Sequence, residues 1–162
     1  MLRRSSILAA FCCAVVLGSA FFLSAASAEP SHDTTQRTPI GTWLTADGGA
    51  VVRIMPCGSG QSETLCGEIA GIARAPGAPM PTDVEGRPQC GLVIIRDERP
   101  DADGAWIGTV TDPRDGASFD ARLRVDEAGN LRLRGFLGIP LLGETSTWRP
   151  FTGKLGAACT MS

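Results

Sequence analysis

Residues able to do chemistry are sparse in this chain. His32 is the single histidine, and it sits in residues 29–39, where Ser, Asp, Thr, Gln and Pro show no hydrophobic period. A Ser–His–Asp or Cys–His arrangement needs a positioned imidazole, and a flexible leader supplies none. Four acids, Asp97, Glu98, Asp101 and Asp103, fall close together. Paired carboxylates can do general acid–base work, but acids gathered in a turn are ordinarily just solvated. Asp101-Ala102-Asp103-Gly104 starts like a calcium loop yet lacks regularly spaced further oxygens and a closing Glu. Gly58-Ser59-Gly60 lacks the strand–turn–helix setting of a nucleophile elbow. Cys57, Cys66, Cys90 and Cys159 contain no close pair of the kind zinc sites use. The sequence therefore predicts no catalytic residue, no metal, no cofactor and no enzyme.

Binding remains. The sharpest expectation is an apolar pocket lined by Trp106 and Phe136, with Arg134 near its rim for an acidic head group. The bland alternative for Trp43, Trp106 and Trp148 is core packing, since large aromatics dominate burial in small domains. Gly71, Gly108 and Gly135 are expected to face inward and leave room.

The elements that must hold these residues read as strands. Runs over 41–46, 50–55, 65–74, 91–97, 105–111, 118–125, 131–137 and 144–151 are short, apolar-rich and separated by turn signals. Asp47-Gly48-Gly49, Asp112-Pro113-Arg114-Asp115-Gly116 and Asp126-Glu127-Ala128-Gly129-Asn130 carry the residues that tight turns demand. No segment has a helical period. The class is all-β, an eight-stranded antiparallel meander or barrel. Residues 75–89, with four prolines, read as a surface loop or barrel lid.

Alternation is cleanest late in the chain. Phe119, Ala121, Leu123 and Val125 share one face, and Asp120, Arg122 and Arg124 the other; Leu131, Leu133, Gly135 and Leu137 oppose Arg132 and Arg134. Pairing Leu123 with Leu133 stacks Arg124 on Arg132 and Arg122 on Arg134. Like charges directly opposite repel, so acids such as Asp120 or Glu144 should compensate.

The first 28 residues have the form of a signal peptide. Arg3 and Arg4 precede an apolar run from Ile7 to Leu23, and Ala26-Ser27-Ala28 offers small residues before a cut at Ala28–Glu29. Cleavage leaves a leader at 29–39, one domain over 40–162 and no transmembrane segment. The 15 basic side chains lose Arg3 and Arg4, leaving 13 against 17 acids, a net charge of −4. Such a balance gives no reason to expect nucleic acid. Four cysteines remain, which in an exported chain read as two disulfides with three possible pairings. The Gly/Ser-rich tip between Cys57 and Cys66 favours a local bond there, with Cys90 then joined to Cys159.

An ordered set of short matches supports a family resemblance. Gly41-Thr42-Trp43, Gly49-Ala50-Val51-Val52-Arg53-Ile54, Pro56-Cys57-Gly58, Leu65-Cys66-Gly67-Glu68-Ile69 and Cys90-Gly91-Leu92 come first. Asp112-Pro113, Asp115-Gly116, Arg134-Gly135-Phe136-Leu137-Gly138 and Thr147-Trp148 follow. The chain resembles the bacterial secreted family known as domain of unknown function 2147. The resemblance implies a lipocalin-like (calycin) barrel in which Trp43 closes one end against a basic side chain, with Trp148-Arg149 near the last strand. It also implies the periplasm of a Gram-negative bacterium, with onward secretion open. Two departures stand out: the Cys57–Cys66 loop is longer than the usual C-x4-C turn, and 75–89 lacks the acidic, Asn-Pro-containing stretch of relatives. The expected function is binding of a small apolar or amphipathic molecule inside the barrel. The rivals are an envelope interaction protein that uses the outer wall over a filled core and, third, an enzyme without histidine, which would require carboxylates converging in a cleft.

Overall fold

The computed structural model describes residues 37–58 and 64–162. The expected signal peptide, its expected Ala28–Glu29 cut, His32 and the loop tip at 59–63 lie outside those residues. Eight strands follow in order: β1 Gly41–Leu44, β2 Ala50–Pro56, β3 Leu65–Ile72, β4 Val93–Pro100, β5 Trp106–Thr111, β6 Ser118–Val125, β7 Leu131–Phe136 and β8 Glu144–Pro150. Each pairs antiparallel with the next, and β8 returns to β1, closing the expected barrel. The remaining regular pieces are 3-10 turns at Pro140–Leu142 and Ala157–Cys159. Among the described residues no helix is long and apolar enough to cross a membrane.

Turn chemistry sets the hairpins. Gly48, Gly116 and Gly129 take positive φ, a region where a Cβ is penalised. The β6–β7 pair has the register that alternation predicts, with Leu123 opposite Leu133, Arg122 opposite Arg134 and Arg124 opposite Arg132. The β1–β2, β3–β4, β5–β6 and β7–β8 connections share one end, called upper here.

The lower half is filled. Ile54, Leu65, Leu123 and Leu131 are buried inside it, each contributing about 1.5–3 kcal/mol relative to exposure. Trp43 packs with them and donates its indole N–H to the Pro39 carbonyl at 2.7 Å. Arg149, which the resemblance sets near this Trp, pairs in register with Leu44 and is exposed.

Both expected disulfides form, Cys57–Cys66 across the β2–β3 turn and Cys90–Cys159 between the long loop and the tail. The tail straps the outside of the wall. Gly71 stands opposite Val51, on the other face from the core residue Val52, and a Cβ there would lie 2.7 Å from Leu155. Gly71 therefore seats the tail and leaves no space inside, which corrects the inward expectation. Arg74 holds the same strap by donating to the carbonyls of Ala78 and Ala158.

Candidate functional site

The upper half is hollow. A cavity of about 510 Å³ is lined inside by Val52, Ile69, Ile94, Val110, Phe119 and Trp148, with Thr45, Asp47, Gln89, Thr111, Asp112 and Arg114 toward its rim. Ala50 and Val52 of β2 and Ser146 and Trp148 of β8 line it as alternate residues, as the pleat requires. Trp148 spends its indole N–H on Ser146 Oγ at 3.0 Å, so its ring presents a mainly apolar surface. The rim acids are engaged. Hydrogen bonds from the Thr45 hydroxyl and the Gly49 N–H hold Asp47 below the usual carboxylate range. The Arg114 guanidinium does the same for Asp112, at 2.6 Å.

A second hollow of about 560 Å³ shares Ala46, Phe119 and Ser146 with the first and continues along Leu133, Gly135 and Glu144–Thr147. It exists because β8 pairs with β1 only at Trp43–Pro150 and Leu44–Arg149. Above Arg149, β8 is paired to β7 alone, and the wall has a seam beside Ala46. Gly135 faces this hollow, where a Cβ would meet nothing nearer than 3.7 Å. Here the expected inward glycine does leave room.

The most unusual side chain lies lower down. Glu98 is wholly buried, and both carboxyl oxygens lack a hydrogen-bond partner. Burial pushes its pKa up to about 9, so the group is a neutral acid at physiological pH. A bulge puts it there. Arg96 pairs with Thr109 and Arg99 with Ile107, leaving Asp97 and Glu98 opposite Gly108 alone. Asp97 takes φ 56°, which swings Glu98 to the interior face opposite Leu65. A Cβ on Gly108 would sit 2.4 Å from the Arg96 carbonyl oxygen. Gly108 thus admits the bulged backbone and opens no ligand space, a second correction. Trp106, two residues earlier on the same face, also has a buried and unpartnered indole N–H. An acid and a donor left unpaired in a core are unusual, because such groups normally find partners.

Sequence reasoning placed Glu98 in a solvated acidic turn. The structure extends β4 to Pro100 and turns at Asp101–Ala105 instead. The available signal was Gly108 in mid-strand, which marks bulges and close backbone approach, facing an Asp that tolerates positive φ.

The three expected binding residues are not brought together. Trp106 packs against the lower core. Arg134 and Phe136 alternate with the inward Leu133 and Gly135, so they point away from the interior, with Phe136 buried where the β7–β8 connection packs against it at Gly143. That assignment is a correction, and strand periodicity is its cause. Arg134 donates to the carbonyls of Pro140 and Leu141 and to Thr145 Oγ1, fastening the β7–β8 connection. The arginine ladder is quenched from below: Arg122 pairs with Asp101 at 2.8 Å and Asp103 at 3.0 Å, and Arg124 donates to the Asp103 carbonyl. The compensating acids are those of the β4–β5 turn, not Asp120 or Glu144.

In the β3–β4 loop, Asp83 accepts from the N–H groups of Glu85 and Arg87 and from the Arg87 guanidinium. Burial opposes its charge, and these bonds outweigh burial, so its pKa is lowered. The loop is a self-satisfied structure beside the cavity, where it supplies Gln89.

Comparison with known proteins agrees with the architecture. Residues 41–149 match a family described as uncharacterized protein conserved in bacteria, domain of unknown function 2147. Among solved structures, protein HP1028 from the human pathogen Helicobacter pylori, described as belonging to the lipocalin family, is similar at a TM-score of 0.57. Identity is 15%, over 70% of this chain and 82% of that one, a likeness of fold. The comparison with curated proteins returns no match.

Proposed function

This chain belongs to that bacterial family of uncharacterised proteins, and from this premise we propose that it is a carrier for a small, partly apolar molecule held in the upper half of the barrel. The observation that carries the proposal is the cavity of about 510 Å³ with an apolar interior and a polar rim. That size falls in the range of small-molecule pockets, which combine mostly apolar walls with a few orienting polar groups. The lipocalin-like fold is compatible with such use, although a barrel alone licenses no activity.

The protein acts by binding and not by catalysis. Supporting this, the rim acids Asp47 and Asp112 are tied up by Thr45, Gly49 and Arg114. The site of action is the periplasm, reached by cleavage after Ala28, with secretion beyond it as the variant. Two disulfides in a bacterial family are compatible with an extracytoplasmic address. The outer-wall reading has less behind it, because Arg122 is paired with Asp101 and Asp103 and Arg134 is spent on the β7–β8 connection.

Native mass spectrometry of protein purified from its own cell envelope tests the proposal. The expected result is a reproducible bound mass that is lost in Val110→Trp, a substitution that fills the cup. Protein that carries no bound mass and takes up no apolar fluorescent probe would sink it.

A further inference from the structure

The β7–β8 connection is the most apolar exposed segment among the described residues. Leu137, Ile139, Leu141 and Leu142 are 68%, 54%, 82% and 78% exposed, all within seven residues. The run from Phe136 to Gly143 contains no charged side chain. Isolated exposed leucines are ordinary, but four in one turn are not.

The segment is built to stay out. Gly138 adopts φ 75° to start the turn. The Arg134 guanidinium then grips the Pro140 and Leu141 carbonyls at 2.6 and 3.1 Å. Gly143 packs so closely that a Cβ would lie 2.5 Å from the Gly135 carbonyl oxygen. With the backbone held at these three points, Leu137, Ile139, Leu141 and Leu142 stay exposed. Gly143 leads directly into Glu144–Thr147, the strand segment that lines the seam.

We propose that the Leu137–Leu142 turn is a bilayer anchor, which inserts its aliphatic side chains among lipid acyl chains and sets the seam of the barrel against the membrane surface. Two features favour a bilayer over a protein partner or a second copy. The four exposed side chains together offer an apolar area on the order of a few hundred Å². A stable protein interface needs about 800 Å² per partner with complementary shape. A fluid hydrocarbon layer has no such requirement, and each inserted aliphatic side chain adds its own transfer free energy. The turn carries no charged side chain from Phe136 to Gly143, and the neighbouring Arg134 is spent on its carbonyls. Attraction is therefore apolar, and anionic lipid is not required.

The inference goes beyond the carrier reading and fails separately from it. A barrel whose cup is empty can still anchor, and a carrier can work without an anchor. The test uses the barrel unit, which forms one compact body over Thr34–Ser162, made without the apolar stretch before Ala28. Cosedimentation is measured with vesicles of phosphatidylcholine and phosphatidylethanolamine. Wild type should bind, and Leu141→Asp with Leu142→Asp should lower the partition coefficient by about a hundredfold or more, at about tenfold or more per leucine. Because both positions are exposed, the melting temperature of the double variant reports whether the fold is intact. In about 0.5 M salt, wild-type binding should change by less than about threefold. The proposal is overturned if wild type stays in the supernatant, or if the double variant binds as well. Binding that collapses in salt overturns it too, since head-group charge would then be the cause. A dimer seen by ultracentrifugation, broken by the double variant and indifferent to vesicles, would name a second copy as the occupant instead.

Discussion

Glu98 should make this barrel less stable as pH rises through the neutral range, and Glu98→Gln should abolish that loss. In the folded protein the acid has a pKa of about 9, against an ordinary value of 4.5. Between those two values the folded chain keeps a proton that the unfolded chain releases. Stability therefore falls with pH across that window, and it is flat on either side. The slope is about 1.4 kcal/mol per pH unit for one proton. From pH 5.5 to 8.5 the loss amounts to about 4 kcal/mol, a large share of the 5–15 kcal/mol typical of a domain. Asp47, Asp83 and Asp112 have lowered values, so their contributions are lost only below the ordinary carboxylate range and leave this window clear. Gln keeps the shape and stays neutral. The variant should match wild type near pH 5 and exceed it by about 4 kcal/mol at pH 8.5. With a urea m-value of about 2 kcal/mol/M, that is a midpoint difference of about 2 M. Urea titrations of the oxidised protein at pH 5.5, 7 and 8.5 read it directly. A wild-type midpoint that stays level over this range would refute the reasoning, and so would a Gln variant no more stable at pH 8.5.

Two further outcomes follow from the same geometry. Gly108→Ala places a Cβ 2.4 Å from the Arg96 carbonyl oxygen and 2.8 Å from the Glu98 nitrogen, so it should destabilise by about 2 kcal/mol or more by forcing the bulge open; a melting temperature equal to wild type would show that the bulge is not fixed there. The disulfides should differ in weight, since Cys90–Cys159 closes a sequence separation of 69 residues and Cys57–Cys66 only 9. On chain entropy, removing the first by double Ser substitution costs about 4.4 kcal/mol and the second about 2.7 kcal/mol, an order that chemical denaturation of the two variants can confirm or reverse.

Most of the wall was legible because its signals are local. The alternation through Phe119–Val125 and Leu131–Gly135 fixes faces, and the turn between them fixes register, so the Arg122–Arg134 and Arg124–Arg132 pairs could be read directly. Local signals also mislead where a bulge intervenes. One extra residue at Asp97–Glu98 reverses the facing of everything after it, and it turned an apparent acidic turn into a core carboxyl. The same problem affects Gly71, because the β2–β3 register shifts between Val51 and Val52 and moves that glycine to the outside. Phe136 is a different failure. Its facing was available from Leu133 and Gly135 by simple alternation, but aromatic type was given more weight than position. The seam could not be read at all, since it depends on how much of β8 finds β1, which is a property of barrel closure and not of either strand alone.

The hollow half and the filled half of the barrel differ in their interior side chains. The lower interior carries Ile54, Leu65, Leu123 and Leu131, branched side chains whose volumes meet across the axis. The upper interior sets Ala46, Ala50, Gly135 and Ser146 among larger residues such as Val110 and Phe119, and these small positions together with the β1–β8 seam leave it open. The barrel is divided along its length, and the division explains why the outer-wall reading loses ground. A filled barrel would have left only its surface to act with, and two of the four ladder arginines there, Arg122 and Arg134, are already engaged within the protein. The exposed apolar features that remain are the cup and the Leu137–Leu142 turn beside its seam. Both lie at the upper end, while the strained bulge and its buried acid lie toward the lower end. Substitutions at the two ends should therefore act independently, as expected for sites with no shared partners. If Glu98→Gln changed uptake of an apolar probe as well as stability, that separation would be wrong and the buried acid would belong to the binding site.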